Sequence, residues 1–150
     1  MRSDPTLTIE SSPAPADRQI VGKGIDEYNR QYAGDANHQE LAVFVRDAGG
    51  RVIGGLLGDT YYGWLAINLL WIDAAWRGRG YGRALLHAAE AEAVRRGCHH
   101  AHLDTLSFQA LDFYLKEGYT IFGQLDDLPP GHTRYFLQKN LETQSVERRT

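Results

Sequence analysis

The sequence predicts a mixed α/β domain, a largely antiparallel sheet flanked by helices in the order β-α-β-β-β-α-β-α-β-β. Three observations carry this. Apolar runs joined by short turn-forming segments fill the middle of the chain. A strongly periodic apolar stripe follows at Leu85, Leu86, Ala89, Ala93 and Val94, and strand-like and helix-like segments alternate after it. Hairpins impose antiparallel pairing and strand-helix-strand crossovers impose parallel pairing, so one sheet must hold both.

Leu7-Thr8-Ile9-Glu10 alternates and reads as a short first strand. The proline-bearing segment from Ser11 to Ala16 leads into a helix from Asp17, its candidate N-cap, to Tyr32. Ile20, Val21, Ile25, Tyr28 and Tyr32 recur there at helical spacing, although Gly22 and Gly24 weaken the pattern. Leu41 to Asp47 and Val52 to Asp59 flank Ala48-Gly49-Gly50-Arg51 and make a hairpin. Tyr61-Tyr62-Gly63 then turns the chain into a third long strand, Trp64 to Asp73. The helix from Gly80 to Arg96 has Arg95 and Arg96 where cations suit its dipole and Gly97 where a left-handed residue ends it. His100 to Leu106 is the next strand, and Ser107 caps a helix ending at Gly118. Tyr119 to Leu125 and Thr133 to Leu141 close the pattern around a Pro-Gly turn.

The 150 residues fit one domain, 1–141, followed by a polar tail, 142–150. A net charge of −3 excludes the strongly basic surfaces that bind nucleic acid or anionic membranes non-specifically. With a single cysteine, Cys98, no intrachain disulfide forms. The first residues lack a signal-peptide core, and the longest apolar stretch, Trp64 to Ile72, is too short to span a bilayer, so a cytoplasmic protein is expected. His100 and His102 share a strand face near Cys98 and His99. No further ligands accompany them, and no metal is expected.

The segment richest in chemistry is Arg77-Gly78-Arg79-Gly80-Tyr81-Gly82, between the third long strand and the best-supported helix. Glycines let a backbone turn tightly and approach a ligand, and a helix N-terminus offers unpaired N–H groups and partial positive charge. Arg77, Arg79 and Arg83 add full charges, so a pyrophosphate suits the loop. The spacing is neither G-x-G-x-x-G nor G-K-[ST], which disfavours dinucleotide and nucleoside triphosphate sites. On glycine spacing alone, a turn with solvated arginines fits equally well.

Arg77-x-x-Gly80-x-Gly82 resembles the acyl-CoA signature Gln/Arg-x-x-Gly-x-Gly/Ala of the GNAT superfamily of N-acetyltransferases. Tyr114-Leu115-Lys116-Glu117-Gly118-Tyr119 resembles that family's Tyr-x-x-x-Gly-Phe/Tyr ending, and the element order matches its fold. The resemblance implies acetyl-CoA as co-substrate, with the loop from Arg77 to Gly82 on its pyrophosphate. It also implies main-chain pairing of Leu70, Trp71 and Ile72 with the pantetheine arm where two strands splay. Many members carry Asn at the position of Ser107. This chain has Ser107-Phe108-Gln109, which hands some of those polar contacts to Gln109.

Amine acetylation needs a neutral amine and a stabilised leaving thiolate. By the resemblance Tyr114 is the general acid toward sulfur; by sequence alone it reads as a packing aromatic. The base is not readable. Asp73 and Asp104 lie at strand positions near the loop, and Asn68 interrupts an apolar strand on the face of Trp64, Ala66 and Leu70. Some family members place a catalytic glutamate in the middle of that strand, where this chain has no carboxylate, so proton removal through ordered water held by Asn68 or a main-chain carbonyl is the expectation. Tyr28, Tyr62 and Trp64 are candidate walls of an acceptor site and Asp126, with Asp127, a candidate attractor of an amine; each also reads as core aromatic or solvated turn.

The leading expectation is therefore direct acetyl transfer in a ternary complex to a primary amine of a small molecule. A protein or peptide acceptor, or a non-catalytic acyl-CoA-binding regulatory domain, is the alternative. Family members often pair, which makes a homodimer an expectation from resemblance only.

Overall fold

In the computed structural model residues 3–142 are described, and they fall into two compact units divided between Ala36 and Asn37. The first contains α1 (Pro15–Ala33). Proline sits at its first positions, where the missing N–H costs nothing, and Ala14 rather than Asp17 occupies the N-cap. Asp17 lies in the first turn and its own N–H donates to the Ala14 carbonyl at 3.1 Å. The strand expected over Leu7 to Glu10 does not form: the segment joins no ladder, and two alternating apolar residues do not hold an extended backbone without one.

The second unit is a six-stranded sheet. Its strands are β1 (Gln39–Arg46), β2 (Val52–Tyr61), β3 (Trp64–Ile72), β4 (His100–Leu106), β5 (Thr120–Asp126) and β6 (Thr133–Asn140), in the spatial order β1-β2-β3-β4-β6-β5. A helix, α2 (Tyr81–Arg95), links β3 to β4, and a short helix, α3 (Leu111–Lys116), links β4 to β5. All neighbours are antiparallel except β3 and β4, as the intervening crossover helix requires. The β2–β3 turn places Tyr62 and Gly63 at φ 48° and 77°, the pair of left-handed residues that matches a two-residue hairpin to sheet twist.

Leu85, Leu86, Ala89 and Ala93 of α2 pack on Leu41, Leu56, Leu65, Ile67, Ala101 and Leu103 of the sheet. Val94, expected in that stripe, is 41% exposed, an ordinary state for one apolar surface residue. Glu90 is buried instead. Lys139 Nζ lies 3.2 and 3.1 Å from its two carboxylate oxygens, and the Tyr119 hydroxyl donates to it at 2.7 Å. Arg96 ties the end of α2 to the sheet by donating to the Glu40 carbonyl and Thr60 Oγ1, both at 3.1 Å. The helix expected from Ser107 begins only at Leu111, because Ser107 Oγ accepts from the Thr133 N–H at 3.1 Å and Gln109 folds back onto the end of β4.

β3 carries an extra residue. Leu57 faces Leu69 and Gly58 faces Ile67, so Asn68 bulges out of register. The bulge resets the alternation: Leu65 and Ile67 before it, and Leu70 and Ile72 after it, all pack toward one core. Asn68 therefore does not share a face with Leu70, contrary to a strict period of two. Gly58 permits this, since a Cβ there would sit 2.3 Å from the Ala66 carbonyl oxygen. Gly58→Ala is expected to lower stability by about 2 kcal/mol or more in urea denaturation, because a backbone oxygen has to move. Gly24→Ala in α1, with nothing within 4 Å of the new methyl, is expected to lower it not at all.

Candidate functional site

Parallel pairing of β3 with β4 runs from Trp64↔His100 to Ile67↔Leu103 and stops at the bulge. Beyond it β4 stays paired with β6 through Leu106↔Arg134, while β3 stays paired with β2 through Gly54↔Ile72. The two strands part, and the edge of β3 from Asn68 to Ile72 that faces β4 loses its ladder. A cleft of about 1260 Å³ opens along this edge. Its walls include Leu70, Trp71 and Ile72 on one side and Asp104, Thr105 and Leu106 on the other, with Phe108, Phe113 and Tyr114 beyond.

At the end of the cleft Asp73 caps a 3-10 turn (Ala74–Trp76) by accepting from the Ala75 N–H at 3.0 Å. Gly78 and Gly80 follow at φ 74° and 84°, conformations that a side chain would strain. The first helical bond of α2 is from Ala84 N–H to the Gly80 carbonyl at 3.1 Å, so the N–H groups of Tyr81, Gly82 and Arg83 are those that a helix leaves over. Gly82 keeps the approach low: a Cβ there would stand 3.8 Å from Phe113 and occupy the cleft wall. A long ligand with an extended amide arm and a phosphate end fits these groups, with strand-like pairing along β3 and anion binding at α2.

The arginines are not equivalent. Arg77 Nε donates to the Ile72 carbonyl at 2.9 Å and so braces the strand end. The Arg79 guanidinium lies 4.9 Å from the Trp76 ring centroid, and Arg79 alone of the expected loop residues is not on the cleft. Arg83 Nε stands 3.3 Å from Glu117, which also bonds His87 at 2.7 Å. Full positive charge at the loop is therefore partly offset by Glu117.

Tyr114 is 6% exposed and lies between Phe113 and Tyr119, with ring centroids 5.2 and 5.9 Å away. Burial, helped by the Asp104 carboxylate, pushes its phenol up to about 12. Asp104 itself is held by Arg134, whose Nε and Nη2 lie 3.0 and 2.8 Å from Oδ1. Gln109 accepts from the Leu106 N–H at 2.7 Å and from Thr105 Oγ1 at 3.3 Å, so its carbonyl closes the turn after β4 while the residue still borders the cleft.

Asn68 and Tyr114 thus share the cleft with Leu70, Trp71, Ile72, Arg77, Gly78, Gly80, Tyr81, Gly82, Arg83 and Gln109. Of the residues expected around an acceptor, Tyr62 and Trp64 stand apart from Asp126. Tyr62 and Trp64 border a separate hollow of about 320 Å³ with Tyr61, His102 and Phe122. Asp126 closes the β5–β6 hairpin, accepting from Thr133 Oγ1 at 3.3 Å and Gln124 Nε2 at 3.2 Å. Tyr28 belongs to α1, its ring centroid 5.2 Å from that of Tyr32. His100 stacks on Trp64 at 4.6 Å, and no group of three or more metal-ligating side chains occurs among the described residues. No helix among them is long and apolar enough to cross a membrane.

One polar cluster was not expected. Asn68 Nδ2 donates to Asp59 Oδ2 at 2.8 Å, and Asp59 Oδ1 lies 2.9 Å from His38 Nε2. The strand that lacked a carboxylate borrows one from β2. The signal was present in the two-residue turn, which sets Asp59 opposite Ala66, but only the bulge brings Asn68 round to meet it.

Comparison with known proteins agrees with this geometry. Residues 7–119 match the model of the acetyltransferase (GNAT) family. An acetyltransferase of Agrobacterium fabrum, Atu2258, is 38% identical over 112 residues, 75% of this chain and 82% of that protein. The blasticidin-S acetyltransferase of Streptomyces morookaense is 42% identical over 93 residues, 61% of this chain and 68% of that protein. A crystal structure of an acetyltransferase from Agrobacterium tumefaciens superposes with a TM-score of 0.84 at 32% identity, covering 90% of this chain and 98% of that one.

The raised Tyr114 phenol has a consequence for stability. The folded state keeps the proton that an unfolded tyrosine releases near pH 10, so this contribution is full below about pH 10 and is lost as pH rises toward about 12. Tyr114→Phe is expected to flatten that alkaline decline by about 2–3 kcal/mol, measured by urea denaturation between pH 8 and 12.

Proposed function

The chain belongs to the acetyltransferase (GNAT) family of acetyl-CoA-dependent acyltransferases, and on that premise we propose that it acetylates a primary amine of a small molecule. The observation that carries the reading is the unladdered edge of β3 running into the N-terminus of α2 along one continuous cleft. Similarity to a blasticidin-S acetyltransferase supports a small-molecule acceptor.

Under this reading the N–H groups of Gly78 to Arg83 hold the pyrophosphate, and Leu70 to Ile72 align the pantetheine arm by main-chain pairing. Acetyl-CoA, when bound, supplies the thioester carbonyl carbon that the amine attacks. Tyr114 lines the cleft, and its hydroxyl serves in this reading as a hydrogen-bond donor for the departing sulfur. A phenol raised to about 12 stays protonated at every physiological pH. Full proton transfer from it to a thiolate of ordinary basicity runs uphill by about 5 kcal/mol. Tyr114 thus acts mainly by donating a short hydrogen bond, and hands over its proton only as another returns. Asn68, rather than holding a water alone, is committed to Asp59.

A thiol-release assay with acetyl-CoA against blasticidin S, simple diamines and amino-terminal peptides tests the reading. Turnover with small amines is expected, with kcat of Tyr114→Phe down about 10- to 100-fold and the Kd for acetyl-CoA unchanged. Gly80→Ala, placing a side chain at φ 84°, is expected to weaken acetyl-CoA binding about tenfold or more. Tight acetyl-CoA binding with no thiol release for any amine would sink the enzymatic reading, and turnover confined to peptides would overturn the acceptor class.

A further inference from the structure

We propose that His38, oriented by Asp59 and Asn68, is the proton acceptor that converts the incoming ammonium to the attacking amine; this rests on the acetyl transfer proposed above. His38 precedes β1, Asp59 lies on β2 and Asn68 on β3, so three separate segments converge on one carboxylate. Convergence of that kind is a built feature rather than a local turn.

The bond directions settle the roles. An ionised carboxylate only accepts, and Asn68 can offer Asp59 only its Nδ2 hydrogens, which it does at 2.8 Å to Oδ2. Oδ1 then faces His38 Nε2 at 2.9 Å, so Nε2 carries the ring hydrogen and Nδ1 keeps its lone pair. A carboxylate behind an imidazole fixes the tautomer and stabilises the imidazolium formed on proton uptake, which is the role of the aspartate in hydrolase triads. Asp59 and Tyr61, both from β2, are the titratable groups set against His38, Tyr61 with its ring centroid 6.3 Å away, and Asn68 stands behind Asp59. The His38 side chain is 59% exposed and that of Asp59 25%, so an arriving amine can approach the imidazole while the carboxylate behind it is partly shielded.

Position supports the same reading. Asn68 is the bulged residue at the point where β3 leaves β4, and it borders the cleft. Asp59 joins this wall to His38 by one hydrogen bond on each oxygen. The bulge, with Gly58 as its requirement, turns Asn68 toward Asp59.

The proton and bond balance closes without a further reactant. One proton leaves the ammonium nitrogen for His38 Nδ1. The neutral nitrogen bonds to the acetyl carbon and the carbon–sulfur bond breaks. The second nitrogen proton ends on sulfur as the thiol, and His38 returns its proton to solvent. His38 is the catalytic residue in this scheme, and Asp59 and Asn68 are positioning residues.

The experiment is a pH–rate profile for thiol release by wild type, His38→Ala, Asp59→Asn and Asn68→Ala, using one strongly basic amine and one weakly basic amine already neutral at pH 7. His38→Ala is expected to lower kcat/KM for the basic amine about 100-fold, to remove the acidic limb of the profile and to be rescued by added imidazole. The weakly basic amine should lose less than about tenfold, since it needs no base. Asp59→Asn should act like His38→Ala without imidazole rescue, and Asn68→Ala should shift the limb while leaving the Kd for acetyl-CoA unchanged. An unchanged profile in His38→Ala, or equal losses for both amines with no rescue, overturns the assignment while the acetyl-transfer reading stands. Absence of turnover by wild type with every amine overturns that reading itself.

Discussion

The arrangement depends on an interruption in a sheet. β3 and β4 pair over four residues and then diverge, and everything assigned to the cleft follows from that parting. Backbone N–H and C=O groups in a partly closed site are costly to leave without partners, so a strand edge losing its ladder calls for water or an extended ligand in its place. The bulge at Asn68 produces the parting on one side, and the loyalty of β4 to β6 produces it on the other. A regular sheet with the same side chains would have no cleft.

The surrounding charges moderate one another. Glu117 engages Arg83 and His87 beside the helix that offers its N-terminus, and Arg77 is spent on the carbonyl that ends β3. An anion at this loop would therefore lean on N–H groups with fixed directions more than on mobile guanidinium groups. Such donors are already oriented before a ligand arrives, which limits the ordering cost of binding. Around Tyr114 the same logic runs in reverse: burial and the Asp104 carboxylate keep the phenol neutral and hence a permanent donor.

Much of the scaffold was legible in the sequence. The hairpins, the crossover helix and the glycine loop are local matters, written in turn residues and in a period of 3.6, and their bounds shift by only a residue or two in the structure. The strand at Leu7 to Glu10 was not, because a strand exists only where a partner accepts it. Ser107 illustrates a second limit: a hydroxyl that suits an N-cap went to the Thr133 N–H at the end of the β4–β6 pair, a choice made by tertiary contact. Along the cleft, the glycine loop and the β3 edge that line it were picked out by pattern and by resemblance. The His38–Asp59–Asn68 cluster was not, because its meeting depends on one extra residue in β3, and a bulge leaves hardly any trace in composition.

The buried Glu90–Lys139–Tyr119 group lies further along α2, about one turn beyond His87 on the same face. Replacing one partner of such a group strands a charge, so its members resist piecemeal change. It joins α2 to β6 and to Tyr119, in the link between α3 and β5. Mechanically it is a pivot: the helix whose N-terminus ends the cleft cannot slide along the sheet without breaking a buried ion pair. The separation between loop and strand edge is thus held like the jaws of a fixed gauge, its span set by the fold before any extended ligand arrives.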